Sequence, residues 1–275
     1  NIQTAYVNRV NGVFGRDPAS VTTSEVLDMV IDYGLHWEEA RQFDLGLDFR
    51  ALNNRLTLEF DYYIKTTANI LTNITLPGIS GSTYSPLSNI AKARNTGIEF
   101  NIGWRENRGD FSYDLSLIGT TLKNKVVSVN QNLPPLENGA NVTKVGYPIG
   151  GFWGYEVLGI YQNKQIIEET ASIDGATPGD LWYKDQNGDG VIDKDDRIYM
   201  GSYLPKVTLG LNMRFAYKGV DLEMDLYSSL GNKIYSTRRQ TLGVSPYNVT
   251  TDYLHSWVGE GSTNKTTRVL LDGPG

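Results

Sequence analysis

The chain has no cysteine. Thiolate catalysis, cysteine-held metal clusters and a disulfide framework are therefore excluded. Histidine is nearly absent too. His36 and His255 are far apart with no metal-ligand spacing, so each reads as an ordinary loop residue. Long apolar runs are also missing. No stretch approaches the roughly 20 residues of a membrane helix, and mean hydropathy is −0.34. That excludes a helical membrane protein but not a β-barrel, in which half of each strand faces a wet lumen. Positive charge is in deficit, with 25 Lys and Arg against 31 Asp and Glu. No basic stripe is present to hold nucleic acid. The chain opens Asn1-Ile2-Gln3 without Met or a signal peptide and closes on the turn-like Asp272-Gly273-Pro274-Gly275. The expectation is an internal stretch of a longer protein.

What the chain has in abundance is period-two alternation. Phe43, Leu45, Leu47 and Phe49 alternate with Asp44, Gly46, Asp48 and Arg50. After Asn53-Asn54, residues that tolerate positive φ, Leu56, Leu58, Phe60 and Tyr62 alternate with Thr57, Glu59 and Asp61. This predicts a β-hairpin. Ile98 to Arg105 and Phe111 to Leu117 form a second such pair, turning between Asn107 and Asp110. Val207 to Phe215 and Val220 to Leu226 form a third, turning at Lys218-Gly219. An earlier strand is expected near Thr4 to Val10.

Connections within the hairpins are short. Those between them are long, Lys65 to Lys92 and Lys123 to Lys206. Short turns on one side and long loops on the other suit an outer-membrane barrel. Aromatic residues agree: Trp104, Phe111, Tyr113, Phe215 and Tyr217 sit beside short turns, and Tyr62 and Tyr63 are expected at the far end of their strand. A soluble antiparallel sandwich also alternates, with one face in a core and one in water. At this point a membrane barrel and a secreted, calcium-stabilised β-sandwich acting in binding or adhesion both remain open.

One segment carries a metal signature. Asp185-Gln186-Asn187-Gly188-Asp189-Gly190 follows the calcium-loop template, with Asp193 and Asp196 beyond. Calcium takes six to eight hard oxygens. Asp185, Asn187 and Asp189 alternate, so a curled loop aims all three inward, and Gly190 permits the bend. Val191 would offer its carbonyl, Asp193 would bind directly or through water, and Asp196 would close the loop. Ile192 would anchor it to apolar neighbours. Asp at the twelfth position, where Glu is usual, and the lack of flanking helices make this an isolated EF-hand-like loop over 185–196. A structural Ca2+ ion is expected there.

The polar rows include Asp44, Asp48, Glu59, Asp61, Glu99, Asp114, Asp221, Glu223 and Asp225. Carboxylate pairs can hydrolyse glycosides, but a wet lumen also needs a polar lining. Nothing sets an acid and a base across a closed cleft, so no enzyme is expected. Trp153, Tyr155, Tyr161, Trp182 and Tyr183 cluster around the metal motif. They are candidates for substrate or partner contacts, or for the loop's own core, the latter being favoured because so long a loop needs apolar contacts.

Several phrases, taken in order, resemble the SusC/RagA-like TonB-dependent outer-membrane transporter family. They are Leu35-His36-Trp37-Glu38 with Gln42 to Phe49, Asn54 to Tyr63, and Asn95-Thr96-Gly97-Ile98-Glu99-Phe100. Gly146 to Gly150, Phe152 to Tyr155, Gly159 to Asn163, Pro178-Gly179-Asp180 and the Asp185 loop follow. Gly201 to Lys206, Tyr217 to Leu222 and Gly231 to Tyr235 complete the series. Small departures are His36, where Lys is common, and Ala93-Arg94. The resemblance implies an all-β fold, a transmembrane antiparallel barrel of the 22-stranded kind, in the bacterial outer membrane. Residues 1–275 would be a late sector of that barrel domain, with the metal loop inside an extracellular loop of about 123–206. The plug and the final strands would lie outside the sequence. It further implies import of oligosaccharides, or peptides in some members, energised by the TonB complex through the plug. A SusD-like surface lipoprotein would act as a lid, and Trp153, Tyr155, Tyr161, Trp182 and Tyr183 would be candidates for contacting it.

Overall fold

The computed structural model describes residues 2–13, 21–32, 34–74, 87–130, 136–236 and 251–269. It divides into two compact units, Asn1–Gly151 with Leu204–Asn232, and Phe152–Tyr203 with Lys233–Gly275. The first unit opens with strands β1 (Ile2–Val13) and β2 (Val21–Asp32), paired antiparallel. Next come β3 (Glu39–Ala51), β4 (Leu56–Asn73), β5 (Leu87–Arg108), β6 (Phe111–Thr121) and β7 (Lys123–Val129). A small hairpin, β8 (Leu136–Asn138) and β9 (Asn141–Thr143), follows. The second unit supplies β10 (Gly151–Gly154), β11 (Val157–Ile160), helix α1 (Lys164–Glu169), β12 (Leu181–Tyr183) and β13 (Ile198–Gly201). The chain returns to the first unit with β14 (Val207–Tyr217) and β15 (Val220–Leu230).

Six of these strands make one antiparallel meander in the order β3-β4-β5-β6-β14-β15, and β7 also pairs with β5. Tight turns set the register. Leu52, Asn53 and Asn54 have φ of 56°, 56° and 63°. Lys218 and Gly219, at 46° and 85°, give the left-handed turn that matches strand twist. β14 pairs with β6 without a shift from Val207↔Thr121 to Tyr217↔Phe111. The whole segment between them is therefore an insertion into one hairpin, at the end opposite the short turns.

In-register pairing turns each strand's alternation into rows across the sheet. One row runs Phe49–Leu58–Ile102–Leu117–Leu211–Leu226, and the next Leu47–Phe60–Phe100–Gly119–Leu209–Ser228. A third runs Leu56–Trp104–Leu115–Met213–Met224. The opposite face carries Arg50–Thr57–Gly103–Ser116–Asn212–Asp225. Its polar groups pair across strands: Arg105 Nε donates to Asp114 at 2.8 Å, Asn101 to Glu59 at 3.1 Å and Ser116 to Asn101 at 2.8 Å. Gly119 leaves space on the apolar face that the Phe100 ring and Leu209 fill, since a Cβ there would strike both.

The apolar rows face away from any second layer among the described residues. Leu45 is 64 % exposed, Leu47 59 % and Leu226 58 %. That exposure suits a surface covered by lipid. The buried cluster lies elsewhere, at Ile74, Ile90 and Ala91, with Ile70, Val129 and Leu136 against it. Eleven-residue strands such as β6, β14 and β15 reach about 36 Å. Tilted near 45°, they span an apolar band of about 25 Å.

Beside the short turns the apolar face ends in polar-tipped rings. Trp104 Nε1 donates to the Tyr113 hydroxyl at 3.3 Å, and Phe111 and Tyr113 lie 5.9 Å apart. Glu106, which shares the parity of the apolar residues, is buried and neutralised by Arg55 at 2.9 Å. Two expectations are corrected. Tyr62 and Tyr63 do not end their strand, because β4 runs ten residues further to Asn73. Only Tyr62 shares the apolar face; Tyr63 has the opposite parity and stands over Gly97, where a Cβ would meet its hydroxyl at 2.6 Å. The expected Lys65–Lys92 loop is likewise strand over its described ends, with β4 and β5 paired as far as Asn73↔Leu87. Propensity did not mark this extension because its alternation is broken by shifts around Ile70 and by Asn69 at φ 56°. The early strand expected at Thr4–Val10 lies within β1.

Leu211→Arg, in the middle of the apolar rows, is expected to destabilise the full-length protein in liposomes by roughly 2–4 kcal/mol. Asn212→Arg, one residue on and facing the other way, should be nearly neutral. Urea unfolding of the two variants checks this.

Candidate functional site

The second unit is built around two short pairings. β11 lies against β12 (Val157↔Tyr183, Ile160↔Leu181), and β10 against β13 (Trp153↔Tyr199). The candidate aromatics meet in pairs on and beside these strands. Tyr161 is 1 % exposed, donates its hydroxyl to the Ala171 carbonyl at 2.8 Å, and stacks at a tilt on Trp182 with centroids 5.9 Å apart. Tyr155 and Tyr183 lie 5.2 Å apart, and Trp153 meets Tyr199 edge-on at 6.0 Å. Tyr161 is therefore core. Trp153, Tyr155, Trp182 and Tyr183 are half-buried and keep part of their surface open. Burial raises the Tyr161 hydroxyl above the ordinary tyrosine pKa. Burial raises Tyr183 as well, helped by Tyr155 and Asp180, so both remain protonated donors.

The metal-motif residues occupy the curled loop between β12 and β13. Asp185 accepts from the Gly188 amide at 2.6 Å through Oδ1 and from Gly190 at 2.9 Å through Oδ2. Asn187 accepts from the Asp189 amide at 3.0 Å, and Asp189 from Val191 at 2.9 Å. Gly188 and Gly190 take φ of 77° and 85°, which the bend requires. Ile192 is buried as an anchor, while Val191 is exposed and bridges to Ser172. Asp193 and Asp196 form a reciprocal capping box on a 3₁₀ turn, Lys194–Asp196.

Asp196 has a distinct part. Its side chain is fully buried; Oδ1 accepts the Gln186 amide and Oδ2 the Asp193 amide, each at 2.8 Å. It thus ties the first residues of the loop to the last. The hydrogen bonds from Asp193 and then Gln186 hold its carboxyl below the ordinary aspartate range, against some desolvation. The donor chemistry, hard carboxylate and amide oxygens, fits calcium. Each oxygen that accepts one N–H keeps a lone pair for a ligand. The acids are not gathered on a common point, however: among the described residues no three Asp, Glu, His or Cys side chains converge as a metal cluster would. Next to the loop, Glu156 takes hydrogen bonds from Gln186 at 2.8 Å and Lys184 at 3.2 Å, which lower its pKa in that order.

The segment 251–269 completes the unit, and sequence reasoning missed it. Asn264 Oδ1 accepts the Ile160 amide at 2.7 Å. Gln162 donates to the Thr263 carbonyl at 3.0 Å and accepts from Gly261 at 2.9 Å and from the Trp257 indole at 3.2 Å. Arg268 donates to Asp180 at 2.8 Å. Burial pushes the Asp180 carboxyl up, but Arg268 and the Thr177 amide and hydroxyl together outweigh it and leave the pKa lowered. Gly179, at φ 94°, sits where a Cβ would strike Trp257 and Arg268. Partners some 90 residues apart leave no periodic trace; the Pro178-Gly179-Asp180 phrase was the one local sign.

Both depressed carboxyls contribute stability above their unfolded pKa of about 3.9 and lose it as pH falls through the lower folded values. The unit should therefore be insensitive to these groups from pH 5 to 8 and weaken below about pH 4. Asp196→Ala is expected to raise amide exchange at Gln186 and Asp193 selectively, read by hydrogen-exchange mass spectrometry. Asp180→Asn should cost about 1 kcal/mol and loosen 251–269 while sparing the metal loop.

Comparison with known proteins agrees with this arrangement. Residues 6–249 match the family model described as TonB dependent receptor-like, beta-barrel. The chain is 34 % identical over 246 residues to TonB-dependent receptor P3 of Formosa agariphila, covering 86 % of this chain and 24 % of that protein. It is 27 % identical to TonB-dependent receptor SusC of Bacteroides thetaiotaomicron, over 73 % of this chain and 20 % of SusC. Among solved structures, the RagAB peptide transporter shares the fold with a TM-score of 0.73 at 21 % identity, over 98 % of this chain and 29 % of that one. The chain thus spans about a quarter of the curated relatives it matches. Its exposed apolar rows, its polar reverse face and these matches together make the chain a member of the TonB-dependent receptor β-barrel family, a SusC/RagA-like portion of an outer-membrane barrel wall.

Proposed function

We propose that the protein to which this sector belongs imports nutrients actively across the outer membrane, taking oligosaccharides or peptides. The observation that carries this is the in-register apolar belt backed by a polar face, the two-sided wall a lipid-embedded channel requires. Relatives named as a TonB-dependent receptor SusC and a RagAB peptide transporter support it. In this reading the short turns at Leu52–Arg55, Gly109–Asp110 and Lys218–Gly219 face the periplasm. The insertion after β6 faces outward, within reach of a SusD-like surface lipoprotein acting as a lid. Energy comes from the TonB complex through a plug outside this sequence. Of the five candidate aromatics, Trp153, Tyr155, Trp182 and Tyr183 keep surface open to touch substrate or lid. The wall residues position and screen; the family transports, and none of them is assigned a catalytic step.

The loop 185–196 is proposed to take a structural Ca2+ ion. Asp185, Asn187, Asp189 and Asp193 would provide side-chain oxygens and Val191 its carbonyl, with Asp196 holding the loop's ends together. The ion would stiffen the outer insertion. Its chemistry there is charge neutralisation.

Two measurements test these assignments. Deleting the gene should abolish growth on the cognate oligosaccharide or peptide while leaving growth on monomers intact, and equal growth on both would reject the transport role. Calcium at about ten times its dissociation constant should stabilise the insertion by ~1.4 kcal/mol relative to EGTA, seen as a rise in its melting temperature. Asp185→Asn with Asp189→Asn should abolish that rise.

A further inference from the structure

Beside the buried Tyr161 the second unit carries a cleft of about 350 Å³, lined by Ile160, Gln162, Ile166, Trp182, Thr263 and Asn264. Its size falls in the range of small-molecule sites. None of its lining residues is charged, although the metal loop and the Asp180–Arg268 pair give the same unit many charges. The cleft is also rigidly made. Trp182 is braced by Tyr161, which itself is locked by its hydrogen bond to Ala171. Gln162 is fully engaged, its amide nitrogen giving to Ile160 and Thr263 and its oxygen taking from Trp257 and Gly261. Gln162 is wall, with no capacity left for a ligand.

Asn264 differs. Its Oδ1 is held by the Ile160 amide, and Gly159 makes this possible, since a Cβ there would overlap the Asn264 amide. That one bond fixes the side chain's direction. Among the described residues no group accepts from its Nδ2. A fixed pair of neutral N–H donors on the exposed Asn264 therefore lines the same cleft as an indole and two isoleucines.

Resting on the transport reading above, we propose that this cleft is an outer subsite for one neutral sugar ring of an oligosaccharide cargo. A pyranose has an apolar C–H face, whose weakly positive hydrogens suit the negative face of an indole. Its rim of hydroxyls takes hydrogen bonds from groups such as Asn264 Nδ2 and Thr263 Oγ1. A peptide segment with charged side chains or termini would lose hydration there with no counter-charge to replace it. The neutral lining thus selects sugar over charged peptide, and over acidic sugars.

The test uses the full-length receptor in detergent, titrated calorimetrically with neutral hexasaccharides (malto-, cello-, laminari- and xylo-series) and with a charged hexapeptide. At least one hexasaccharide should bind. Trp182→Ala should weaken it tenfold or more, Trp182→Phe much less, and Asn264→Asp should weaken it with the fold retained. Ile166→Glu, at the half-buried mouth, gives an independent reading if Trp182→Ala fails to fold. Absence of binding by every hexasaccharide overturns the proposal, as does binding unchanged in both Trp182→Ala and Ile166→Glu, or tighter binding of the peptide. Uptake by cells separates the two levels. Gene-dependent growth that survives with Ile166→Glu at wild-type rate sinks the subsite and leaves the transporter. Intact sugar binding with no gene-dependent uptake sinks the transporter reading.

Discussion

A backbone placed in lipid has no water to satisfy its N–H and C=O groups, so each must be paired within the protein. The meander from β3 to β15 is organised around that requirement. Pairing runs without a shift through β3–β4, β5–β6, β6–β14 and β14–β15. Once the ladder is unbroken, side chains are sorted by parity alone. The apolar rows follow from it, and so does the need for Glu106 to carry Arg55 with it at the rim. Within this meander, irregular pairing is confined to the far ends of β4 and β5 and to the pairing of β7 with β5.

The insertion obeys different rules. Freed from the ladder, it is held by a small core of Ile160 and Tyr161 and by specific polar bonds between distant segments. Asp196, Gln162 and Asp180 each fix two or more backbone or side-chain groups, and Asn264 holds the Ile160 amide. A unit so organised can change its surface residues without disturbing the wall, a division of labour usual for loops that carry recognition on a rigid scaffold.

The wall was largely legible in the sequence, because period-two patterning and turn chemistry are local signals. Phe43 to Phe49, Leu56 to Tyr62 and Val207 to Leu226 declared their faces directly. The extension of β4 to Asn73 was not legible, since bulges at Asn69 and Ile70 break the alternation. Alternation also could not choose between lipid and a protein core as the cover for the apolar face; the ordered family phrases pointed to lipid, and the uncovered rows agree. In the insertion, the loop at Asp185–Asp196 was visible as spacing, and its curl and buried Ile192 follow that reading. The use of Asp196 as a backbone clip depends on burial, and the docking of Asn264 and Arg268 on contacts between remote segments. Neither leaves a periodic mark.

The central claim is that the face bearing Leu209, Leu211, Met213 and Phe215 meets lipid while its reverse meets water. Spin labels placed singly from Val207 to Tyr217, in the full-length receptor in liposomes with no other cysteine, test it most directly. Collisions with oxygen, which concentrates in lipid, should peak at the odd-numbered positions, and collisions with a water-soluble nickel complex at the even-numbered ones. Odd-numbered positions shielded from both reagents would mean that protein covers the apolar face, and would contradict the account.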